Sequence, residues 1–459
     1  MAVWNMVFCS QLTNEHRTDA EFFKPEYTHL DSYLESIPYV NHLGSLALFV
    51  KKGIFDISPN RYRGNGIPLI RTFQIKTPIA NDENLVFLAE SDHEKEFFKT
   101  ELLSGDIVLT KIGAGIGDIA LLPSKYSRYN FSQNVAGVSV NRSKINPHYL
   151  IAFLISDVGR KQILRYMMPS GQGKLELRDI KKIKVARFEN SEDQIALLVR
   201  KSEILIQESS ALYAQAQQLL ESELGLDKLN FQKPVGYRAH FSELEASQRS
   251  DAEFFKPEYQ ELLNLLRQRK HSLIGRVFTI SRGICINPRL YNETDGTPFI
   301  RIKELSLDKP LLPENSVKIQ RVDVPTNFPF AVEGDYILAV IGATIGKTNL
   351  IDKSMAGSLF SNNTACLSPK IDISHPVAME LLLRSPAVQM QIQQRMAKTA
   401  QEKISDPELR RILIPKIEPT MLDELERKCE GAKAKLLESR QLLVHAKTRV
   451  EQLIEEAVK

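Results

Sequence analysis

The sequence predicts an α+β protein: two repeated, mixed β-rich domains with helices, joined by two long antiparallel coiled-coil helices in a pseudo-two-fold arrangement. Three observations carry that expectation. An internal repeat holds one offset, short apolar runs are cut by turn residues within each copy, and two stretches sustain a heptad pattern. The 459 residues suffice for about three domains.

The repeat comes first. Arg17-Thr-Asp-Ala-Glu-Phe-Phe-Lys-Pro-Glu-Tyr27 returns as Arg249-Ser-Asp-Ala-Glu-Phe-Phe-Lys-Pro-Glu-Tyr259, ten identities in eleven positions. Ile67-Pro-Leu-Ile-Arg71 matches Thr297-Pro-Phe-Ile-Arg301. The run from Gly105-Asp106 to Gly117 matches that from Gly334-Asp335 to Gly346. Phe131-Ser-Gln-Asn134 matches Phe360-Ser-Asn-Asn363, and Gln172-Gly-Lys174 matches Gln401-Glu-Lys403. All five pairs keep their order at offsets of 229 to 232 residues, too long for a solenoid unit. The chain is a duplicated pair of domains.

Each copy has the same order of elements. A helical segment opens it, Asp19 to Ile37 and Asp251 to Gln268. β-rich runs follow, such as Ile107-Val-Leu109 after Gly105-Asp106 and Tyr336-Ile-Leu338 after Gly334-Asp335. A helix comes next; in the second copy Ser385 and Pro386 read as its N-cap and first residue. A long helix closes each copy. The expected domains are 1–190, a spacer helix and linker at 191–229, a second domain at 230–419 and a second spacer helix at 420–459.

The closing helices carry heptads. Leu198, Leu205, Leu212 and Leu219 recur at seven, with Ser202, Ser209 and Ala216 as the partner stripe. Leu422, Cys429, Leu436, Leu443 and Val450 do the same beside Leu425, Ala432, Ser439, Ala446 and Leu453. The pattern argues for a coiled coil, and its small stripe for close backbone approach. Antiparallel pairing would place the two β-rich domains at opposite ends of a rod.

Composition bounds the function. Hydrophobic residues are 43% and charged residues 25%, which excludes wholesale disorder. Cys9, Cys285, Cys366 and Cys429 lie far apart, which excludes a zinc ribbon and a disulfide scaffold and fits a reducing compartment. No run approaches ~20 apolar residues, and Met1 to Leu12 lacks a basic n-region. A soluble, cytoplasmic protein is expected. The net charge of +4 is uneven: Ser191 to Leu229 carries −4 and Thr420 to Lys459 none, leaving +8 elsewhere. That excess permits nucleic-acid binding without proving it.

Catalytic and metal motifs are missing. Gly342-Ala-Thr-Ile-Gly-Lys-Thr348 resembles a phosphate loop but has three residues where a Walker A loop needs four, and Asp118 stands in the lysine's place in the other copy. The nine histidines form no metal cluster, and there is no G-x-S-x-G elbow. No Pro-Pro dipeptide exists, so the Asn/Asp-Pro-Pro-aromatic motif of an adenine methyltransferase is absent.

What remains is a set of polar and basic loop residues at matching places. The first copy offers Lys51, Lys52, Arg61, Tyr62, Arg63, Arg71, Lys111, Ser132, Gln133, Asn134, Gln172 and Lys174. The second offers Ser281, Arg282, Arg289, Arg301, Lys347, Thr348, Ser361, Asn362, Asn363, Gln401 and Lys403. Arg and Lys neutralise phosphates and read guanine, while Asn and Gln read adenine. As a set flanking glycine turns twice over, these residues point to DNA contact, with different sequences in the two copies suiting different targets.

These motifs together resemble the specificity subunits of Type I restriction-modification enzymes over essentially the whole chain. The resemblance rests on the twofold Asp-Ala-Glu-Phe-Phe-Lys-Pro-Glu-Tyr opening, the Gly-Asp strand with its Ile-Gly-Ala-x-Ile-Gly turn, and the Gln-x-Lys segment before Asp179-Ile180 or Glu408-Leu409. One departure is that Gly346-Lys347-Thr348 is Gly117-Asp118-Ile119 in the first copy. The resemblance implies two target-recognition domains, each reading one half of a bipartite, asymmetric DNA site, with the helices setting the unread spacing. It also implies docking to two methyltransferase (M) subunits that use S-adenosylmethionine, and to restriction (R) subunits that use ATP and Mg. The chain itself would bind no cofactor or metal and catalyse nothing. Two alternatives stand beside it: the recognition subunit of a phage-defence methylation system without a nuclease, and a Gly-Lys-Thr nucleotide hydrolase.

Overall fold

The computed structural model describes residues 5–7, 17–113, 115–167, 173–231, 236–292, 294–306, 310–320, 324, 328–397 and 402–458. Cys9 lies outside them. The chain divides into two compact units, Met1–Gln207 with Leu436–Lys459, and Glu208–Lys435. Both boundaries fall inside the long helices rather than at the helix starts expected near 191 and 420. Each half-helix packs into the apolar core of its own unit.

The first unit contains helix α1 (Pro25–Glu35) and strands β1 (Val40–His42), β2 (Ala47–Lys52), β3 (Ile67–Ile70), β4 (Val86–Leu88), β5 (Leu102–Leu103), β6 (Ile107–Thr110), β7 (Ile119–Leu121), β8 (Arg128–Phe131) and β9 (Val135–Val140). Helices α2 (Pro147–Ile155) and α3 (Asp157–Arg165), strand β10 (Lys184–Ala186) and the first half of helix α4 (Glu189–Leu224) follow. Its main sheet runs β2-β9-β6-β7, antiparallel throughout. A second sheet runs β4-β3-β8-β5, with β3 and β8 parallel, and β1 pairs with β10.

The second unit repeats this plan with helix α5 (Pro257–Arg267) and strands β11 (His271–Leu273), β12 (Phe278–Arg282), β13 (Tyr291–Asn292), β14 (Thr297–Ile300), β15 (Val317–Ile319), β16 (Tyr336–Ala339), β17 (Thr348–Leu350), β18 (Leu359–Phe360) and β19 (Thr364–Pro369). Helices α6 (Pro376–Arg384) and α7 (Pro386–Arg395), strand β20 (Leu413–Pro415) and helix α8 (Pro419–Val458) complete it. The sheets are β12-β19-β16-β17, β13-β15-β14-β18 and β11-β20.

Helices α1 and α5 start at Pro25 and Pro257, later than expected. The residue before a proline is pushed out of helical geometry, and proline loses nothing at the first helical position. The repeated residues ahead of them do other work. Arg17 pairs with Asp19 at 2.7 Å, donates to the carbonyls of Tyr166 and Met167 after α3, and lies over the Phe22 ring at 4.6 Å. In the second unit Arg249 pairs with Asp251, donates to the Arg395 carbonyl at the end of α7 and the Met396 carbonyl after it, and lies over Phe254 at 5.0 Å.

The inner strands of the main sheets are buried on both faces, whereas the edge strands β2 and β12 are partly exposed. In β6, Ile107 and Leu109 face the helices, while Val108 joins Phe131 and Val135 under the second sheet. In β16, Leu338 and Ile337 divide the same way. Hence the continuous apolar run after each Gly-Asp. Gly105 and Gly334 adopt φ of +81° and +91°, and the buried Asp106 and Asp335 carboxylates accept from the Leu103 and Val332 amides, each at 2.9 Å.

The long helices pair antiparallel within each unit. In the first, the Ser202 and Ser439 hydroxyls meet at 2.8 Å, with Lys201 on Glu438 at 2.8 Å. In the second, Ser209 donates to the Ala432 carbonyl at 2.7 Å, and Lys435 meets Glu208 at 2.6 Å. The centre of the seam is the small stripe, not the leucine column. Ser202, Ser209, Ala216, Ala432, Ser439 and Ala446 are buried. Of the heptad residues Leu205, Cys429, Leu443 and Val450 are buried, whereas Leu198, Leu212, Leu219, Leu422 and Leu436 are half-buried. Close backbone approach displaces large side chains to the flanks.

Buried Glu203 ties α4 to its sheets, accepting from the Ser124 amide and hydroxyl at 2.5 and 2.6 Å and from His148 Nε2 at 3.0 Å. Burial alone would raise its carboxyl, but the bonds from His148 and Ser124 win and hold it below the usual glutamate range. Two outcomes follow from these contacts. Ser202→Leu overfills the seam and should destabilise the first unit by about 1–3 kcal/mol in urea unfolding; an unchanged midpoint would show that the helices do not meet there. Glu203→Gln should destabilise at neutral pH by about 1–3 kcal/mol. Because the folded carboxyl titrates below the unfolded one, the wild-type advantage is full above the ordinary glutamate pKa of about 4.3 and shrinks as pH falls below it. Unfolding series of both proteins between neutral and acid pH check this.

Candidate nucleic-acid interface

With both faces of the inner strands covered, their polar groups gather at the strand ends. In the first unit that end is the turn 132–134 between β8 and β9. The Ser132 amide donates to the Ile70 carbonyl at 2.9 Å, and the Lys111 amide to the Asn134 carbonyl at 2.9 Å. Lys52 closes β2 opposite Ala136, and Lys174 bridges to Ile112. Lys52, Lys111, Ser132, Gln133, Asn134 and Lys174 are thereby brought together, and Arg71 follows β3 beside them.

The second unit builds the same end from the turn 361–363. Ser361 donates to the Ile300 carbonyl at 2.9 Å and Val340 to the Asn363 carbonyl at 3.0 Å. Arg282 closes β12, Lys403 bridges to Ile341, and Arg301 follows β14. Ser361, Asn362 and Asn363 thus meet Arg282 and Lys403. Gln172 and Gln401 lie outside the described residues.

The sequence reading missed the residue that permits this convergence. A Cβ on Gly53 would lie 2.2 Å from the Phe131 carbonyl oxygen, and one on Gly283 2.0 Å from that of Ser361. Only glycine lets the chain leaving β2 or β12 press against the turn. The signal was present: Lys52-Gly53 and Arg282-Gly283 stand at the repeat offset.

Several arginines expected as free cations are engaged within the protein. Arg61 binds Asp92 at 3.1 Å and Glu96 at 2.8 Å and lies over Phe97. Arg71 donates to the Asn84 carbonyl and lies 5.9 Å over Tyr62. Arg282 binds Asp406 and the Ile404 carbonyl. Arg301 binds Glu304 and lies 5.0 Å over Tyr291. These guanidiniums brace the loops. The exposed Arg63 donates to the Asn60 and Tyr62 carbonyls in a turn beside the second sheet, and Arg289 is exposed in the 288–290 turn.

Other residues fall away from the sheet end. Lys51 points to the opposite face from Lys52, reaching the Lys99 carbonyl at 3.1 Å. Ser281 sits within β12 opposite Cys366. Thr348 is buried at the start of β17, its hydroxyl donating to the Gly346 carbonyl at 2.9 Å, and Lys347 precedes it in the turn.

That turn also decides the Gly-Lys-Thr question. Gly342 and Gly346 take φ of +84° and +91°, as Gly113 and Gly117 take +112° and +80°. Each turn joins two antiparallel strands, whereas a phosphate loop must open a helix whose amides cradle the anion. Asp118 in the first copy binds Lys76 at 2.9 Å. The hydrolase reading loses its structural basis.

At the first sheet end the charge is concentrated. Lys111 is 8% exposed, and its ammonium has no hydrogen bond or ion pair among the described residues. Burial, then the Lys174 and Lys52 charges, push it below the ordinary lysine range. Lys174 itself binds Glu176 at 2.7 Å. Among the described residues no group of three His, Cys, Asp or Glu could hold a metal, and no helix is long and apolar enough to cross a membrane.

Residues 43–186, the two sheets of the first unit, match the family model of the Type I restriction modification DNA specificity domain. No curated protein matches the chain. Among solved structures it is similar to a Type I restriction-modification system S subunit from M. genitalium, at 11% identity and TM-score 0.40 over 91% of this chain and 95% of that one. It is also similar to the HsdS subunit from Thermoanaerobacter tengcongensis, at 14% identity and TM-score 0.29 over 92% and 96%. A chain from a study of type I R-M complex assembly and conformational transition matches at 16% identity and TM-score 0.30, over 92% and 98%. The match is thus to the part of the first unit at 43–186, and the second unit repeats its order of sheets.

Proposed function

We propose that this chain reads a bipartite, asymmetric site on double-stranded DNA, one half-site per unit, and catalyses nothing itself. The observation that carries the reading is the convergence, in each unit, of basic and amide side chains on one turn at the open end of a sheet whose inner strands are buried on both faces. Asn134, Asn362 and Asn363 have the donor–acceptor pairs that base edges require, and lysines beside them suit phosphates. The turns share a backbone position and differ in sequence, which suits two targets.

On this reading the chemistry belongs to partners: two M subunits that transfer a methyl group from S-adenosylmethionine to adenine N6, and R subunits that use ATP and Mg in a cytoplasmic complex. The exposed faces of α4 and α8 support docking of those partners. The family match supports the assignment, and so does the lack of any catalytic motif in the sequence.

Two outcomes test it. The purified full chain, given duplex DNA, S-adenosylmethionine, ATP and Mg, should transfer no methyl group and hydrolyse no ATP; methyl transfer without a partner refutes the non-catalytic role. Exchanging 40–174 for the matching region of a relative with another specificity should change one half-site in the methylome of cells carrying the intact system. A change in both half-sites, or in neither, refutes the modular reading.

A further inference from the structure

We propose that Lys52, Lys111 and Lys174 of the first unit together clamp one phosphodiester of the DNA backbone, and that the second unit has no such clamp. The inference deepens the DNA-reading function above and rests on it. Three separate strands deliver these lysines to one turn: Lys52 ends β2, Lys111 follows β6, and Lys174 pairs back on Ile112.

Lys111 carries most of the weight. Its aliphatic stem is buried while its ammonium reaches solvent at the turn, and among the described residues nothing bonds to it, so it is placed to meet an anion from outside. The nearby carboxylate, Glu176, is already held by Lys174 at 2.7 Å. Lys52 is exposed and has no partner among the described residues. Three ammonium groups against one carboxylate leave a local excess of +2, and a phosphodiester brings −1 with two free oxygens. A base edge would supply no charge to offset it.

The equivalent positions in the second unit are Arg282, Val340 and Lys403. Val340 bonds to Asn363 as Lys111 bonds to Asn134, so the two positions correspond, but its side chain is apolar. Arg282 is neutralised by Asp406. The first unit therefore grips backbone where the second does not, and sequence-independent affinity is lodged in one half of the molecule.

Binding of a mixed-sequence 40-base-pair duplex to the full chain, measured across a series of salt concentrations, tests this, with inorganic phosphate as a separate probe. Lys111→Met should weaken duplex binding about tenfold and make the slope of log K against log salt shallower by about one. Val340→Met should change neither. Lys111→Met should also be about as stable as wild type in urea, since the buried stem is kept and the lost ammonium bonds to nothing among the described residues. Wild-type binding with an unchanged slope in Lys111→Met overturns the clamp and leaves DNA reading intact. A destabilised Lys111→Met overturns it too, because the ammonium would then be satisfied within the fold. Inorganic phosphate that displaces the duplex from wild type at millimolar concentration would show a free-anion site instead. No duplex binding by wild type overturns both readings together.

Discussion

The burial of the inner strands of each main sheet on both faces is the constraint from which the rest follows. A strand such as β6, with Ile107 and Leu109 in one core and Val108 in another, has no solvent face on which to carry a polar side chain. Recognition groups are confined to the places where strands end. That in turn requires several strands to end together around one turn, which Gly53 and Gly283 make possible by bringing backbone against backbone. The site is thus a by-product of how the core is packed, and its position is fixed by apolar residues that never touch a ligand.

Many residues shared by the two copies do structural work, whereas the sheet ends combine shared residues such as Asn134 and Asn363 or Lys174 and Lys403 with ones that differ. The Arg17–Asp19 and Arg249–Asp251 pairs brace the carbonyls at the ends of α3 and α7, and Asp106 and Asp335 hold the turns before β6 and β16. By contrast Lys111 corresponds to Val340, and Lys52 to an arginine already bound by Asp406. A duplicated scaffold can diverge at such positions at little cost in stability, because side chains at a strand end contribute few core contacts.

The duplication, the order of elements and the helix pairing were legible in the sequence because each depends on local pattern: a fixed offset, turn residues between apolar runs, a seven-residue period. The starts of α1 and α5 were misplaced because a proline's effect on its predecessor was outweighed by apparent helical composition. Heptad counting found both the leucine column and the small partner stripe, but it gives a period and not a depth, so it did not show that Ser202 and Ala446 lie deeper than Leu198 or Leu436. At the site, glycine turns and lysines were found from the repeat. What escaped was the fate of the arginines, since Asp92, Glu96 and Asp406 reach them only through tertiary folding. Glu304, three residues after Arg301, was the one such partner within sight of the sequence.

Charge that is neutralised inside the fold and charge that is left open have different uses, and the two units divide them differently. A guanidinium held by a carboxylate, as in Arg282 or Arg301, keeps its geometry but has little charge left to attract a distant polyanion. It suits a loop whose shape must be kept while neighbouring amides such as Asn362 and Asn363 discriminate between bases. An ammonium left unmatched, as in Lys111, gains most from an anion arriving from outside, whatever the base sequence attached to it. Local charge balance at the two sheet ends therefore sets how each unit divides its contact between backbone and bases.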